Sequence, residues 1–101
     1  MHNKNLEYYF DILRIIEKKP ISSQRDLSNQ LGFSIGKINY CIKALKEKGL
    51  IKMSNFKSSQ KKSGYSYILT LKGLKEKSRL TINFMKKKIQ EYEELKKDLE
   101  N

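Results

Sequence analysis

The residue types best suited to recognition chemistry lie together between positions 34 and 43. The amide of Asn39 can bond N6 and N7 of an adenine, and the ammonium of Lys37 can bond O6 and N7 of a guanine. Tyr40 can donate to a phosphate or touch a thymine methyl group, and Gly36 lets the backbone approach closely. One helix face would present these groups to the major groove of duplex DNA, although similar groups also occur on merely solvated faces. The residues of this segment predicted to contact DNA are Ser34, Gly36, Lys37, Asn39, Tyr40 and Lys43.

Four basic side chains outside this segment are candidates for phosphate contacts. Arg25 stands at the start of a second predicted helix, whose N-terminal amides also favour an anion. Lys57, Lys61 and Lys62 lie in a polar loop and are predicted to reach the minor groove or flanking phosphates. The alternatives are a lone surface arginine and a solvated loop that touches no partner.

The residue combinations that catalysis or metal binding requires are missing from the sequence. His2, the single histidine, stands near the N-terminus, and there is no glycine-rich phosphate loop and no paired His, Asp or Glu spacing. A Ser-His or Cys-His mechanism would lack a base near its nucleophile. We therefore predict no enzyme activity, no cofactor and no metal. The single cysteine, Cys41, excludes an intrachain disulfide and is predicted to pack as a small hydrophobe, with a redox switch as the alternative.

Positive charge is in excess and unevenly distributed. Among 101 residues, 22 Lys and Arg oppose 11 Asp and Glu, so the net charge of +11 predicts a polyanionic partner. Residues 33–71 hold eight lysines and one acid, whereas residues 90–101 hold five acids and two lysines. This separation favours a nucleic-acid binder with a distinct assembly tail.

Composition alone leaves DNA, RNA and an anionic membrane open as the polyanion. No apolar run approaches the roughly 18 residues of a membrane span, and the polar first residues do not resemble a signal peptide. We therefore predict no membrane association and a cytoplasmic, nucleoid-associated location.

The elements that must position these residues follow from hydrophobic period and from capping residues. Two of the predicted helices are joined by a tight turn that contains Gly32, and the second is basic on its outer face, which is typical of a helix-turn-helix. The predicted helices are residues 5–19, a short helix capped by Ser23, and a recognition helix of about 35–48 capped by Ser34 and ended by Gly49. Its buried stripe is predicted to be Ile38, Cys41, Ile42 and Leu45.

Residues 50–55 and 65–71 alternate like two half-buried strands around the polar loop at about 56–64, which predicts a β-hairpin wing. Thr70 can cap a last helix that runs from Leu71 to about Leu99. The fold class is therefore mainly α (α+β), a winged helix-turn-helix with a two-stranded wing and a long C-terminal helix. We divide it into a DNA-binding domain at 1–78 and a helical, coiled-coil dimerisation extension at 79–101.

The last helix is longer than a domain of this size requires, and its later part approximates a heptad repeat. Its apolar positions predict a homodimer; the alternative is packing against the chain's own first helix, which Ile82 and Met85 would serve. In that first helix, Tyr8, Tyr9 and Phe10 are predicted to serve core or dimer packing, with a ligand-pocket wall as the alternative. The predicted dimer seam is Ile82, Met85, Ile89, Tyr92 and Leu99.

Over roughly residues 6–95, the sequence resembles winged-helix transcriptional regulators of the MarR type, and more closely the exopolysaccharide (EPS)-associated regulators among them. The most specific part of the resemblance is the run from Gly36 to Cys41. The segments that carry it are Ser23–Leu27, Leu31–Leu45, Lys48–Lys52, Asn55–Phe56, Tyr65–Thr70, Gly73, Leu80–Phe84 and Glu91–Tyr92.

The resemblance implies sequence-specific binding of double-stranded DNA, a homodimer, and possible control of exopolysaccharide genes. Ordinary MarR proteins are longer and build a helical dimer domain from both termini, often with a ligand pocket. This sequence predicts only one helix at each end, which argues against a small-molecule effector.

The function predicted is a transcriptional regulator with the helix at about 35–48 in the major groove and the wing at about 56–64 on flanking DNA. A winged helix used for protein interaction in a larger assembly is the alternative, but such a module needs no basic face. RNA is disfavoured as a partner because the major groove of A-form duplexes does not admit a helix.

Overall fold

The computed structural model describes residues 4–19, 23–55 and 65–100, which form four helices and one two-stranded sheet. The order of elements confirms a mostly helical winged helix-turn-helix. The elements are α1 (Lys4–Lys18), α2 (Gln24–Leu31), α3 (Ile35–Glu47), β1 (Ile51–Asn55), β2 (Tyr65–Leu69) and α4 (Leu71–Glu100).

The core is built around α1, which packs against α2, α3, α4 and β2. Ile12 and Leu13, on neighbouring faces of α1, are both fully buried, because the helix has partners on more than one side. The predicted stripe of α3, from Ile38 to Leu45, faces the same core and is buried. Burying both faces of α1 explains why its apolar stripe is wider than that of a surface helix.

Local capping sets the bounds of the helix-turn-helix as predicted. The hydroxyl oxygens of Ser23 and Ser34 accept hydrogen bonds from the backbone N–H groups three residues on, both at 3.1 Å. Gly32 and Gly49 end α2 and α3 with φ of 73° and 74°, in the left-handed region that favours glycine. After α3, the N–H of Leu50 donates to the carbonyl of Leu45 at 3.0 Å, which completes a Schellman motif.

The start of α4 is locked onto the end of α3. The Thr70 hydroxyl donates to the carbonyl of Gly49 at 2.6 Å and accepts from the N–H of Gly73 at 3.0 Å, so Thr70 is the predicted cap. Gly73 is buried, and a Cβ at this position would lie 2.0 Å from the carbonyl oxygen of Leu50. Glycine at position 73 is therefore a packing requirement and not a weakness of the helix.

The two strands form an antiparallel hairpin whose register runs from Ile51 opposite Leu69 to Asn55 opposite Tyr65. Ile51 and Tyr67, on one face of the hairpin, are buried against the helices, and Ser66 on the other face is buried as well. The predicted wing loop, with Lys57, Lys61 and Lys62, lies outside the described residues.

Only the first half of α4 packs against the body. Leu80 is buried, the Phe84 and Phe10 ring centroids are 4.9 Å apart, and Lys77 Nζ lies 2.7 Å from Glu17 Oε1. The predicted boundary at residue 78 therefore falls inside one continuous helix. Ile82, the first residue of the predicted seam, is 53% exposed.

Met85 lines a groove together with Phe10 of α1, so packing of Ile82 and Met85 against the first helix stays an alternative to the dimer. Met85 is 57% exposed, and the contact with α1 uses Leu80 and Phe84. These two residues lie one turn apart on a face rotated from that of Ile82 and Met85, because a helix repeats every 3.6 residues.

Candidate nucleic-acid interface

The outward face of α3 carries the predicted recognition residues, and the face opposite is the buried stripe. This division follows from the helical period, since Ile38 and Ile42 point into the core while Asn39 and Lys43, one residue on, point out. All six predicted contact residues of this segment are exposed: Ser34, Gly36, Lys37, Asn39, Tyr40 and Lys43.

Asn39 is held by a chain of hydrogen bonds that crosses three elements. Its Nδ2 donates to Oε1 of Gln24 at the start of α2, at 3.3 Å. Nε2 of Gln24 in turn donates to the hydroxyl of Tyr67 on β2, at 3.4 Å. An amide NH2 has two hydrogens, so Asn39 keeps one hydrogen and its carbonyl oxygen for a base edge. The chain therefore positions Asn39 without using up its capacity to recognise a base.

Tyr40 is braced against α1 and still presents its ring to solvent. Its hydroxyl lies near enough to that of Tyr9 to raise the pKa of the Tyr9 phenol, and its own side chain is 59% exposed. Burial raises the pKa of the Tyr9 phenol above its usual value, and the neighbouring Tyr40 and Cys41 raise it further. Tyr9 therefore stays protonated as a donor, and the predicted roles of Tyr9 in the core and Tyr40 at the surface are compatible.

Lys37 is placed differently from the other recognition residues. Its Nζ lies 4.2 Å from the centroid of the Tyr8 ring and 5.6 Å from that of Phe33. The two rings meet edge to face with centroids 5.0 Å apart, at the junction of α1 and the helix-turn-helix turn. The ammonium is thus held by cation–π attraction beside α1, and it must leave these rings to reach a guanine.

The N-terminal turn of α3 is open toward solvent. The Ser34 hydroxyl oxygen caps the helix, and its hydrogen remains available to a phosphate. A Cβ added to Gly36 would meet no atom within 4 Å, and the backbone there has no positive φ. Neither packing nor backbone conformation within the chain therefore requires glycine at position 36.

The remaining basic groups surround this face. Arg25 is exposed on the first turn of α2, and Lys43 and Lys46 line a groove of about 290 Å³ between α3 and β2. Gln24, Asn39 and Tyr67 line the same groove. It joins the polar end of α3 to the hairpin that carries the predicted wing.

Sequence reasoning missed Gln24 and Tyr67 as parts of this site. Gln24 directly follows the N-cap Ser23 and is the first residue of α2. A side chain at this position projects beyond the end of the helix, and that placement is the signal that could have identified Gln24. Tyr67 gave no such signal, because it lies 43 residues away along the chain and was assigned only to a strand.

Cys41 is fully buried in the stripe of α3, as the packing interpretation predicted. Burial raises the pKa of its thiol, and the nearby Lys37 ammonium opposes this to a smaller extent. The thiolate needed for redox chemistry is therefore disfavoured.

Within residues 4–19, 23–55 and 65–100 no group of His, Cys, Asp and Glu is arranged to hold a metal ion. None of the helices in these ranges is long and apolar enough to cross a membrane.

Residues 8–52, from α1 to the first strand, match the family model described as winged helix-turn-helix DNA-binding. With the hairpin and α4 packed onto this segment, the architecture is decided. The fold is a winged helix-turn-helix. No curated protein matches this sequence.

Solved structures of three other proteins share the winged helix-turn-helix fold at low sequence identity. ZitR of Lactococcus lactis, described as a zinc-responsive MarR family member, matches at 22% identity over 94% of this chain and 61% of its own, with a TM-score of 0.61. FabT of Streptococcus pneumoniae in complex with DNA matches at 23% identity over 93% of this chain and 61% of its own, with a TM-score of 0.59. The transcriptional repressor CouR, bound to a 23-mer DNA duplex, matches at 22% identity over 71% of this chain and 49% of its own, with a TM-score of 0.58. The chain thus spans about half to three-fifths of these proteins.

Proposed function

We propose that this winged helix-turn-helix protein is a transcriptional regulator of the MarR type that binds double-stranded DNA sequence-specifically. The observation that carries the proposal is the outward face of α3, where Asn39 and Tyr40 are exposed yet braced by Gln24 and Tyr9. A solvated face needs no such bracing, whereas a reading face gains from it because less side-chain freedom is lost on binding. Similar proteins solved with DNA, FabT and CouR, support the same partner.

In the proposed complex, the N-terminal half of α3 enters the major groove. Asn39 bonds an adenine edge, Lys43 follows the groove, and Tyr40 contacts a thymine methyl or a phosphate. Gly36 allows the helix backbone to approach the DNA. Lys37 exchanges its contact with the Tyr8 ring for a guanine edge or a phosphate.

In this complex, phosphate contacts lie on both sides of the N-terminal half of α3. Arg25 and the N-terminus of α2 face one strand, and the Ser34 hydroxyl donates to a neighbouring phosphate. Lys57, Lys61 and Lys62 of the wing take the minor groove or the phosphates beside it. Eight lysines against one acid in residues 33–71 supply the attraction that draws this face to DNA.

We further propose that the protein acts as a homodimer joined through α4, so that two recognition helices meet two half-sites. The exposed apolar residues Ile82, Met85, Ile89, Tyr92 and Leu99 support this role. The resemblance to EPS-associated regulators suggests exopolysaccharide genes as targets. Because chromosomal DNA is the proposed partner, we further propose a cytoplasmic, nucleoid-associated location.

Selection of bound sequences from random DNA duplexes tests the proposal. We expect enrichment of a two-fold symmetric site, and gel shifts in which that site binds at least tenfold tighter than scrambled duplex or the matching RNA duplex. Enrichment of no sequence would contradict sequence-specific recognition. Failure to bind any nucleic acid would favour the alternative of a protein-interaction module.

A further inference from the structure

The distal half of α4 exposes an apolar stripe that no described part of the chain covers. The stripe side chains lie on the a and d positions of a heptad repeat and are 53% to 89% exposed: Ile82, Met85, Ile89, Tyr92 and Leu99. Leu80 and Phe84, which pack toward the body, lie roughly a third of a turn away around the helix axis. The stripe is therefore free to meet a second helix beside α4.

Charge changes sign along the same helix. Residues 72–88 contain seven basic residues and the single acid Glu76, whereas residues 91–100 contain five acids and two lysines. At the e positions beside the stripe the order is Lys72, Arg79, Lys86, Glu93 and Glu100. This order matters because e residues face each other across an antiparallel pair, whereas in a parallel pair each e residue faces a g residue.

We propose that two copies of this chain pair their α4 helices in antiparallel orientation over residues 82–99. This inference rests on the proposed homodimer and specifies its geometry. In this register Ile82 meets Leu99 of the partner subunit, and Ile89 meets Tyr92 of the partner subunit. The seam then extends about 27 Å, at 1.5 Å per residue over 18 residues, and every a position meets a d position.

The same register brings opposite charges together along one edge of the seam. Lys86 lies opposite Glu93 of the partner subunit, and Arg79 lies opposite Glu100 of the partner subunit. Two-fold symmetry repeats each pair. Arg79 also holds Glu76 of its own helix through two hydrogen bonds of 2.7 Å, so the two Lys86–Glu93 pairs carry most of the attraction.

A parallel pair would place basic segment beside basic segment and acidic beside acidic. It would also set Lys96 against its own copy in the core of the seam, whereas the antiparallel register sets Lys96 opposite Met85 of the partner subunit. Among its e and g contacts, only Lys88 with Glu93 would join opposite charges. Charge complementarity therefore selects the antiparallel arrangement.

The surfaces on either side of the stripe fit this partner. On one side an apolar groove of about 380 Å³, between Phe10 and Phe84, adjoins Met85 and Ile89. Leu95, 66% exposed, lies on that side of α4, so the partner's copy of it approaches the groove. On the other side lies a cleft of about 390 Å³, which the acidic end of the partner helix approaches. It is lined by four basic residues, one acid and one leucine: Lys48, Lys72, Lys75, Arg79, Glu76 and Leu50.

A charge swap on the full chain tests the orientation. Lys86→Glu and Glu93→Lys, made singly, each convert two attractive pairs into repulsive ones in the antiparallel dimer. We expect each to raise the dimer dissociation constant about tenfold or more, measured by analytical ultracentrifugation. The double variant restores opposite charges across the seam and should return the constant to within about threefold of the wild-type value.

The matched control is the same swap at Lys87 and Glu94, which point away from the seam and should leave dimerisation unchanged. A parallel dimer would respond differently, with little effect of Lys86→Glu and no rescue in the double variant, and this result would overturn the proposal. Single variants without effect would overturn it too. Sedimentation needs no DNA, so a failure of the DNA-binding proposal would leave this result intact and would appear only in gel shifts.

Discussion

Two helices of this protein leave a face uncovered, and the two faces differ in chemistry. The outer face of α3 is polar and basic, and its Asn39 donates a hydrogen bond to Gln24 while its Tyr40 lies beside Tyr9. The distal face of α4 is apolar, and Ile82 on it is 53% exposed. A polar, braced face suits a hydrated and charged partner, whereas an apolar stripe gains free energy only when another surface removes it from water. In the proposed function, recognition and assembly therefore use separate faces of one chain.

We expect the largest effect from truncation after Lys88, which removes most of the apolar face of α4 and leaves the face of α3 intact. It removes the seam beyond the body but keeps Leu80 and Phe84, so the winged helix should stay folded while the dimer is lost. A monomer loses the avidity of linked half-sites, and we expect affinity for a two-fold site to fall about 10²-fold, with the half-site preference unchanged. Light scattering and gel shifts on both chains check this. A truncated chain that remains dimeric would refute the seam and turn attention to α1.

Substitutions in the predicted wing loop should have a smaller effect, limited to DNA affinity and without influence on dimerisation. Lys61→Ala with Lys62→Ala should lower affinity for all duplexes alike, because phosphates carry no sequence information. The slope of log K against log[salt] should become shallower by up to about 0.9 per lost phosphate contact. Titrations between low and moderate salt measure it, with dimerisation as the property that must not change. An unaltered slope would show that these lysines do not touch phosphate.

Gly36 and Gly73 differ in what requires a glycine. Packing within the chain requires it at position 73, whereas we propose that contact with DNA requires it at position 36. Gly36→Ala meets no atom within the chain and removes a helix-weakening glycine, so stability should rise by about 0.5–1 kcal/mol. DNA affinity should nevertheless fall several-fold, because the added methyl group stands between helix and groove. Thermal unfolding and gel shifts on the same sample separate the two effects.

Gly73→Ala is the matched comparison, since its Cβ would collide with the Leu50 carbonyl oxygen and should destabilise the protein. Unchanged DNA binding by Gly36→Ala would remove Gly36 from the interface.

Features encoded by neighbouring residues could be predicted from the sequence. Ser34 and Gly49 mark the ends of α3 by local hydrogen bonds and backbone conformation, and the 3.6-residue period identified the buried Cys41. Features that depend on distant partners could not. The Gln24–Tyr67 contact joins residues 43 positions apart, and the side chain of Lys37 turned toward the Tyr8 ring instead of away from the body.

The packing of α4 illustrates the same limit. Apolar spacing marked Ile82 as a candidate for contact with α1 or with a partner, but it does not say which side of α4 faces the body. Contacts between elements, such as the close approach of Gly73 to Leu50, position the helix, and periodicity does not encode them.

Asn39→Ala tests most directly the central claim that the outer face of α3 reads DNA sequence. It is cleaner than Lys37→Ala, because the ammonium of Lys37 also packs against Tyr8 and its loss would disturb α1. Gln24→Ala is the control, since it removes the same internal hydrogen bond but leaves the amide of Asn39 in place. The measurement is the ratio of affinities for the selected site and for random duplex. We expect Asn39→Ala to reduce discrimination by about 1–3 kcal/mol, and Gln24→Ala to reduce it less. Equal losses on selected and random DNA would contradict the claim.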